Sequence, residues 1–224
     1  MKILGLETTE RRATVALLDN CEVVVDMTLD DEARSASLLA PGIHLALKQA
    51  QWQATDLDRI AVTVGPGSFT GLRIALSAAK GLCLAADKVL VTVSTLETLA
   101  ARLPFARLPV CAVLDARKRE VYTALYDTTE GVPVERIGPR AILPTQLAEE
   151  RAGQPTIFTG DGAEVYRDLL GPNAQIAPSF CARPDAGTIG WLALSKLERG
   201  ETVDIDSVEP EYVRPPDAIP LSRK

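Results

Sequence analysis

The chain of 224 residues is 46% hydrophobic and 24% charged and carries a net charge of −6. That balance lies at the globular average and excludes a disordered, collagenous or coiled-coil chain, while the length allows one or two compact domains. The acidic excess disfavours tight direct binding of RNA or DNA, whose phosphates such a protein repels in aggregate.

Taken in order, residues 2–6, 13–18 and 22–29 are apolar or Val-rich runs separated by polar turns, and they predict three consecutive antiparallel strands. Between 35 and 51, Leu38, Leu39, Ile43, Leu45, Ala46, Leu47 and Ala50 recur at helical spacing, with Pro41 tolerable only in the first turn. The β-branched run 60–64 ends at Gly65-Pro66-Gly67. A long helix over 70–86 follows, rich in Ala, Leu and Gly and capped by Thr70. A strand over 89–93 leads to Ser94, which caps a helix over 95–103 with Glu97 three residues on and Pro104 as the stop.

The same order then restarts. A strand over 109–114 ends in Asp115, the basic turn Arg117-Lys118-Arg119 follows, and a strand over 121–126 ends in Asp127. Laid over the N-terminus, Asp115 falls on Glu7, the basic turn on Arg11-Arg12 and Asp127 on Asp19. A strand over 132–137, a helix over 144–151, a strand over 156–159, a turn and helix over 160–170 and a final helix over 185–199 complete the copy. The layout predicts an α/β protein of two tandem ribonuclease-H-like domains, 1–104 and 105–224, in the arrangement shared by actin, hexokinase and Hsp70 (ASKHA).

The sequence restricts the chemistry. Four cysteines, Cys21, Cys83, Cys111 and Cys181, form no C-x-x-C pair and read as small buried hydrophobes. His44 is the sole histidine, which excludes mechanisms needing two imidazoles. The N-terminus is too brief for the apolar core of a signal peptide, and the nearly apolar stretch 70–93 is broken by Arg73, Lys80, Asp87 and Lys88; a cytoplasmic protein without a membrane span is expected.

The segment Gly65-Pro66-Gly67-Ser68-Phe69-Thr70-Gly71-Leu72-Arg73 fits neither a Walker A loop, nor G-x-G-x-x-G, nor G-x-S-x-G. It reads as a tight strand-to-helix turn or as an anion cradle. Glu7-Thr8-Thr9 and Asp115-Ala116-Arg117 end the first strand of each copy, where actin-like ATPases place an acid and a phosphate-facing turn. Neither turn has a glycine, so side chains occupy room that phosphates need. Gly160-Asp161-Gly162-Ala163 is a plain turn or a remnant adenosine-binding turn. Glu7, Thr8, Thr9, Gly67, Ser68, Asp115, Gly160 and Gly162 are therefore the candidate nucleotide or anion contacts.

The helix over 70–86 mixes small and bulky apolar residues, and the one over 35–51 is apolar on more than one side, as suits helices covered by a second subunit as well as by a sheet. The candidate interface comprises Leu38, Leu39, Leu45, Gly71, Leu72, Ile74, Ala75, Ala78, Ala79 and Leu82. No catalytic residue, metal ligand or cofactor is assigned.

Ile-Leu-Gly-Leu-Glu-Thr-Thr near the start, Gly-Pro-Gly-Ser-Phe-Thr-Gly-Leu-Arg at 65–73, Val-Ser-Thr-Leu at 93–96, Asp-Ala-Arg at 115–117, Glu-Val-Tyr at 120–122, Gly-Asp-Gly-Ala at 160–163 and Pro-Glu-Tyr-Val-Arg at 210–214 together resemble the TsaB family, also called YeaZ. The resemblance implies a bacterial cytosolic subunit needed for threonylcarbamoyl-adenosine at position 37 of tRNAs reading codons that begin with adenine. It implies a non-catalytic partner of the related transferase TsaD and of the ATPase TsaE, meeting tRNA only through the complex; monomer and homodimer both stay open for the isolated chain. It also sets Thr95-Leu96-Glu97-Thr98-Leu99 where TsaD holds its metal with H-x-x-x-H, and Ser35 where many relatives have histidine. The alternative is an ATP-dependent phosphotransferase of the same fold, favoured if Glu7 and Asp115 bind a magnesium nucleotide.

Overall fold

A computed structural model describes residues 1–10, 12–30, 35–171 and 174–214, with residues 35–37 described by backbone alone. Arg11 of the first basic turn, the Ser35 side chain and residues 215–224 lie outside the described residues.

Strands β1 (Lys2–Glu7), β2 (Ala13–Asp19) and β3 (Glu22–Leu29) form an antiparallel meander; β4 (Arg59–Gly65) joins β1 in parallel and β5 (Val89–Ser94) joins β4, giving the order β3-β2-β1-β4-β5. The second sheet is built from β6 (Val110–Asp115), β7 (Val121–Asp127), β8 (Val134–Ile142), β9 (Ile157–Thr159) and β10 (Gln175–Ile176) in the order β8-β7-β6-β9-β10. The two orders are the same when each is counted from its own first strand, so the duplication read in the sequence is present in the topology. The β10 strand has two residues, too few to leave a sequence pattern. Strand β8 runs on through Gly138-Pro139, where the sequence suggests an end; on a sheet edge a proline's missing N–H is tolerated.

The helices are α1 (Ser35–Ala50), α2 (Phe69–Ala86), α3 (Thr95–Ala101), α4 (Pro144–Arg151), α5 (Asp161–Val165), α6 (Arg167–Leu170) and α7 (Ala186–Glu198). Three local expectations are corrected. Pro41 lies in the second turn of α1, beyond the first-turn position where a missing N–H is harmless. Ser68, not Thr70, caps α2, its hydroxyl accepting from the Gly71 amide at 3.2 Å. Ser94 precedes α3 without a side-chain cap bond; its hydroxyl donates to the Gly65 carbonyl at 3.4 Å, and the helix ends at Ala101.

One face of the first sheet packs Leu4, Leu6, Val15 and Leu17 against Leu39, Ile43 and Ala46 of α1 and Ala75, Leu76, Ala79 and Cys83 of α2. The opposite face packs Ile3, Ala16, Leu18 and Val91 against Ala186, Ile189, Leu192 and Ala193 of α7. Contact there is so close that a Cβ on Gly5 would stand 2.2 Å from the Ala186 carbonyl oxygen. Helix α3 in turn lays Leu96, Leu99 and Ala100 on Ala112, Leu114, Ala124 and Tyr126 of the second sheet. Each half of the chain therefore lends its last helix to the other half's sheet, and an ion pair of 3.2 Å between Glu97 of α3 and Lys196 of α7 joins the lent helices. Division at 104 follows chain order but cuts across both cores.

Beyond α7 the chain returns along the first half as a strap. Val203 bridges Leu90 at the β5 edge, Ile205 and Val208 pack on the α1–α2 core, and the Glu211 amide donates to the Val64 carbonyl at 2.7 Å.

Candidate functional site

The β1–β2 turn lies beside the second half, where Arg183 stands 4.0 Å from Glu10 and the Asp115 amide at the end of β6 is bonded to Asp161. Glu7, at the end of β1, is 1% exposed, and its Oε1 accepts from the Thr9 amide at 2.6 Å and from the Thr9 hydroxyl. Burial pushes its carboxyl up to about 8, the Thr9 hydrogen bonds opposing the shift, so Glu7 carries a proton at neutral pH. Glu10, in the same turn, is raised to about 7 by burial and then by the like charge of Asp161; Arg183, 4.0 Å away, opposes the rise.

Thr8, Thr9, Gly67, Ser68 and Gly71 are brought together, and they fill one another's space. The Thr8 hydroxyl donates to the Gly71 carbonyl at 2.7 Å, and the Ser68 amide donates to the Thr9 carbonyl at 2.9 Å. A Cβ on Gly67 would lie 2.5 Å from Thr9 Cβ, and one on Gly71 1.9 Å from the Thr8 oxygen. Amides that an anion cradle at Ser68 and Gly71 would offer are thus given to the chain itself. The distinctive segment is a packing turn that clamps α2 onto the β1–β2 turn.

In the second half, Asp115 Oδ1 accepts from the Arg117 amide at 3.0 Å and the Tyr166 hydroxyl at 3.3 Å, while the Asp115 amide donates to Asp161 at 3.0 Å. Gly160 and Gly162 also serve close approach, since added Cβ atoms would stand 2.1 Å from the Val113 oxygen and 2.8 Å from the Leu114 carbonyl carbon. Arg117, Lys118 and Arg119 hold successive φ angles of 62°, 52° and 65°, left-handed values that side-chain-bearing residues adopt at a cost. The carboxyl groups of Glu10, Asp115 and Asp161 stand here beside cations, Arg183 at 4.0 Å from Glu10 and the Arg117-Lys118-Arg119 turn next to Asp115.

The α1–α2 surface divides by helical phase. Leu39, Leu72, Ala75 and Ala79 are at most 1% exposed inside the first core, which corrects their assignment to an interface: on α2, residues 72, 75, 76, 79 and 83 share the inward face. Leu38, Gly71, Ile74, Ala78 and Leu82 are half-buried along the edge of that face, and Leu45 is 50% exposed. Outward positions that the sequence reading left out of the interface are Arg73, Ser77, Gly81, Leu84 and Ala85, with Leu84 69% exposed and open space around the Gly81 Cβ position. Dividing the helix by its 3.6-residue repeat would have found them; pooling its small residues did not. Helix α2 has 18 residues and a mean hydropathy of 1.3, enough to cross a membrane by length and composition, yet its inward stripe lies in the core of the first sheet.

Residues 32–219 match the family model described as TsaD, tRNA N6-adenosine threonylcarbamoyltransferase. The chain is 30% identical over 220 residues to the Escherichia coli protein named tRNA threonylcarbamoyladenosine biosynthesis protein TsaB, covering 96% of this chain and 95% of that one. Among solved structures it is similar to YeaZ from Pseudomonas aeruginosa, with a TM-score of 0.84, 28% identity and coverage of 94% and 99%. The ROK hexokinase of Thermus thermophilus, with a TM-score of 0.51 at 11% identity and coverage of 89% and 100%, shares the fold alone.

Proposed function

The chain belongs to the TsaD/TsaB family, and within it to the TsaB (YeaZ) proteins of tRNA threonylcarbamoyladenosine biosynthesis, and from that premise we propose that it is a non-catalytic subunit that docks and regulates a TsaD-type transferase. TsaE would be the further partner, tRNA would be met only through the complex at position 37, and the work would be done in the cytoplasm. Docking uses the outward edges of α1 and α2; the observation that carries it is the stripe of Ile74, Ala78, Gly81, Leu82 and Ala85, small or apolar and half-buried or exposed after the chain's own core is complete. Small residues let helix axes approach to the near end of the ~8–10 Å range, so dispersion accumulates along the seam. The same surface would hold a second copy of the chain when the transferase is absent.

Two features support a non-catalytic role. Residues 95–99, where the resemblance places the transferase's metal-holding histidines, here lie at the start of α3, with Thr95 and Thr98 buried and Glu97 paired to Lys196. The carboxyl that an actin-like ATPase needs ionised is Glu7, which burial keeps protonated. Depleting the protein in its own cell is expected to lower threonylcarbamoyladenosine in tRNA by nucleoside mass spectrometry, and the tagged chain is expected to co-purify a TsaD-type protein. Unchanged modification overturns the biological role; restored modification by a TsaD-type protein that never associates with the chain overturns the docking.

A further inference from the structure

The strap is held very differently at its two ends. On the first half, Val203, Ile205 and Val208 are tied by a bridge to β5 and by apolar packing, and Tyr212 stacks on Phe69 with ring centroids 5.4 Å apart while its hydroxyl accepts from Arg73 Nε at 3.2 Å. On the second half, Arg214 is among the described holds, its guanidinium donating to Glu120 at 2.7 Å and to the Ala116 carbonyl at 3.3 Å. Phe69 belongs to the turn of α2 that is clamped on Thr8 and Thr9, and Ala116 and Glu120 bracket the left-handed Arg117-Lys118-Arg119 turn. The strap thus joins the first turn of α2 in the first half to the β6–β7 turn of the second.

We propose that Tyr212–Arg214 is a latch between the two halves, anchored on α2 and releasable at the Arg214–Glu120 contact. Apolar packing and stacking anchor the first end. The second end rests on an ion pair whose side chains are 26% and 34% exposed, the type that solvent weakens and salt screens. Between the halves, Glu10 of the first is repelled by Asp161 of the second and attracted by Arg183, 4.0 Å away. Release lets the halves move apart about the segments that join α3 and α7 to the sheets, as in hinge closure generally. The latch rests on this geometry and is independent of what docks on α1 and α2.

The test uses the full chain with Cys21→Ser, the exposed thiol, and spin labels at Val24→Cys and Val134→Cys. These positions are 42% and 55% exposed on the outer strands of the two sheets. Double electron–electron resonance is expected to give one narrow distance distribution. Arg214→Ala and Arg214→Glu should each broaden it at least twofold with circular dichroism unchanged, and about 1 M salt should do the same to the unsubstituted latch. The exchanged pair Arg214→Glu with Glu120→Arg should narrow it again. A width indifferent to both Arg214 variants overturns the latch, and so does an exchanged pair as broad as Arg214→Glu alone, since the ion pair would then not be the fastening.

Discussion

Among the described residues no cation is paired with Glu7, and this has a defined sign. Its carboxyl lies near 8 in the folded chain against the ordinary 4.5, so the folded state keeps a proton that the unfolded state loses. The favourable contribution is complete below about pH 4.5, falls as the pH rises toward 8 at up to roughly 1.4 kcal/mol per pH unit, and levels off beyond. Glu10 adds a slope of the same sign over a narrower window, ending near 7. Glu7→Gln keeps an acceptor for Thr9 and cannot ionise; urea titrations from pH 5 to 8.5 are expected to show a flatter profile and a gain of about 1–3 kcal/mol over the parent at pH 8. A variant with the parent's slope would mean that Glu7 is ionised in the folded chain. At this scale the sequence was partly legible. An acid at the end of the first strand and the absence of a turn glycine are visible in Glu7-Thr8-Thr9, and Gly71 is readable as a close-packing position. That Glu7 is neutral follows from its complete burial, with the like charges of Glu10 and Asp185 adding to it, which no local pattern records.

Helix α2 presents neighbouring small residues to opposite environments. Ala75 is fully buried against the first sheet, so Ala75→Arg forces an unpaired charge into the core and is expected to cost several kcal/mol and leave the chain unfolded or aggregated. Gly81, about a third of a turn around the helix axis, meets open space, so Gly81→Arg should fold like the parent and weaken co-elution with a TsaD-type partner at least tenfold, about 1.4 kcal/mol. Size-exclusion chromatography with circular dichroism separates the two failures; a folded Gly81→Arg chain that binds as before moves the docking surface off this stripe. Helix α2 shows what periodicity can convey. Its extent is legible from the apolar run that follows Gly65-Pro66-Gly67, although its cap is Ser68 and not Thr70. Its two faces are hard to tell apart because both are apolar, a pattern that arises when a helix is covered on one side by its own sheet and reserves the other. The cap at Ser94 was misread for a related reason: its hydroxyl is turned to Gly65 on a neighbouring strand instead of to its own helix.

Across the whole molecule the exchange of α3 and α7 binds the two halves into one folding unit. A chain ending at residue 104 lacks α7, so Ile3, Ala16, Leu18 and Val91 are bared on one face of the first sheet. That fragment is expected to be insoluble alone and to become soluble when co-expressed with residues 105–224, while the full chain melts in a single calorimetric transition. A separately soluble, cooperatively melting 1–104 fragment would contradict this. The duplication itself was legible in the matching acids and turns, because each copy repeats local signals. The exchange was not, because a helix carries its apolar stripe whichever sheet receives it. The return of the chain along β5 has a practical meaning for anyone handling the protein. An outer strand left bare offers unpaired backbone groups to the next molecule, and Val203 beside Leu90 shields part of that row. The C-terminal segment is thus a guard against fibre-like stacking, and a tag or protease site is better placed after residue 214 than before 203.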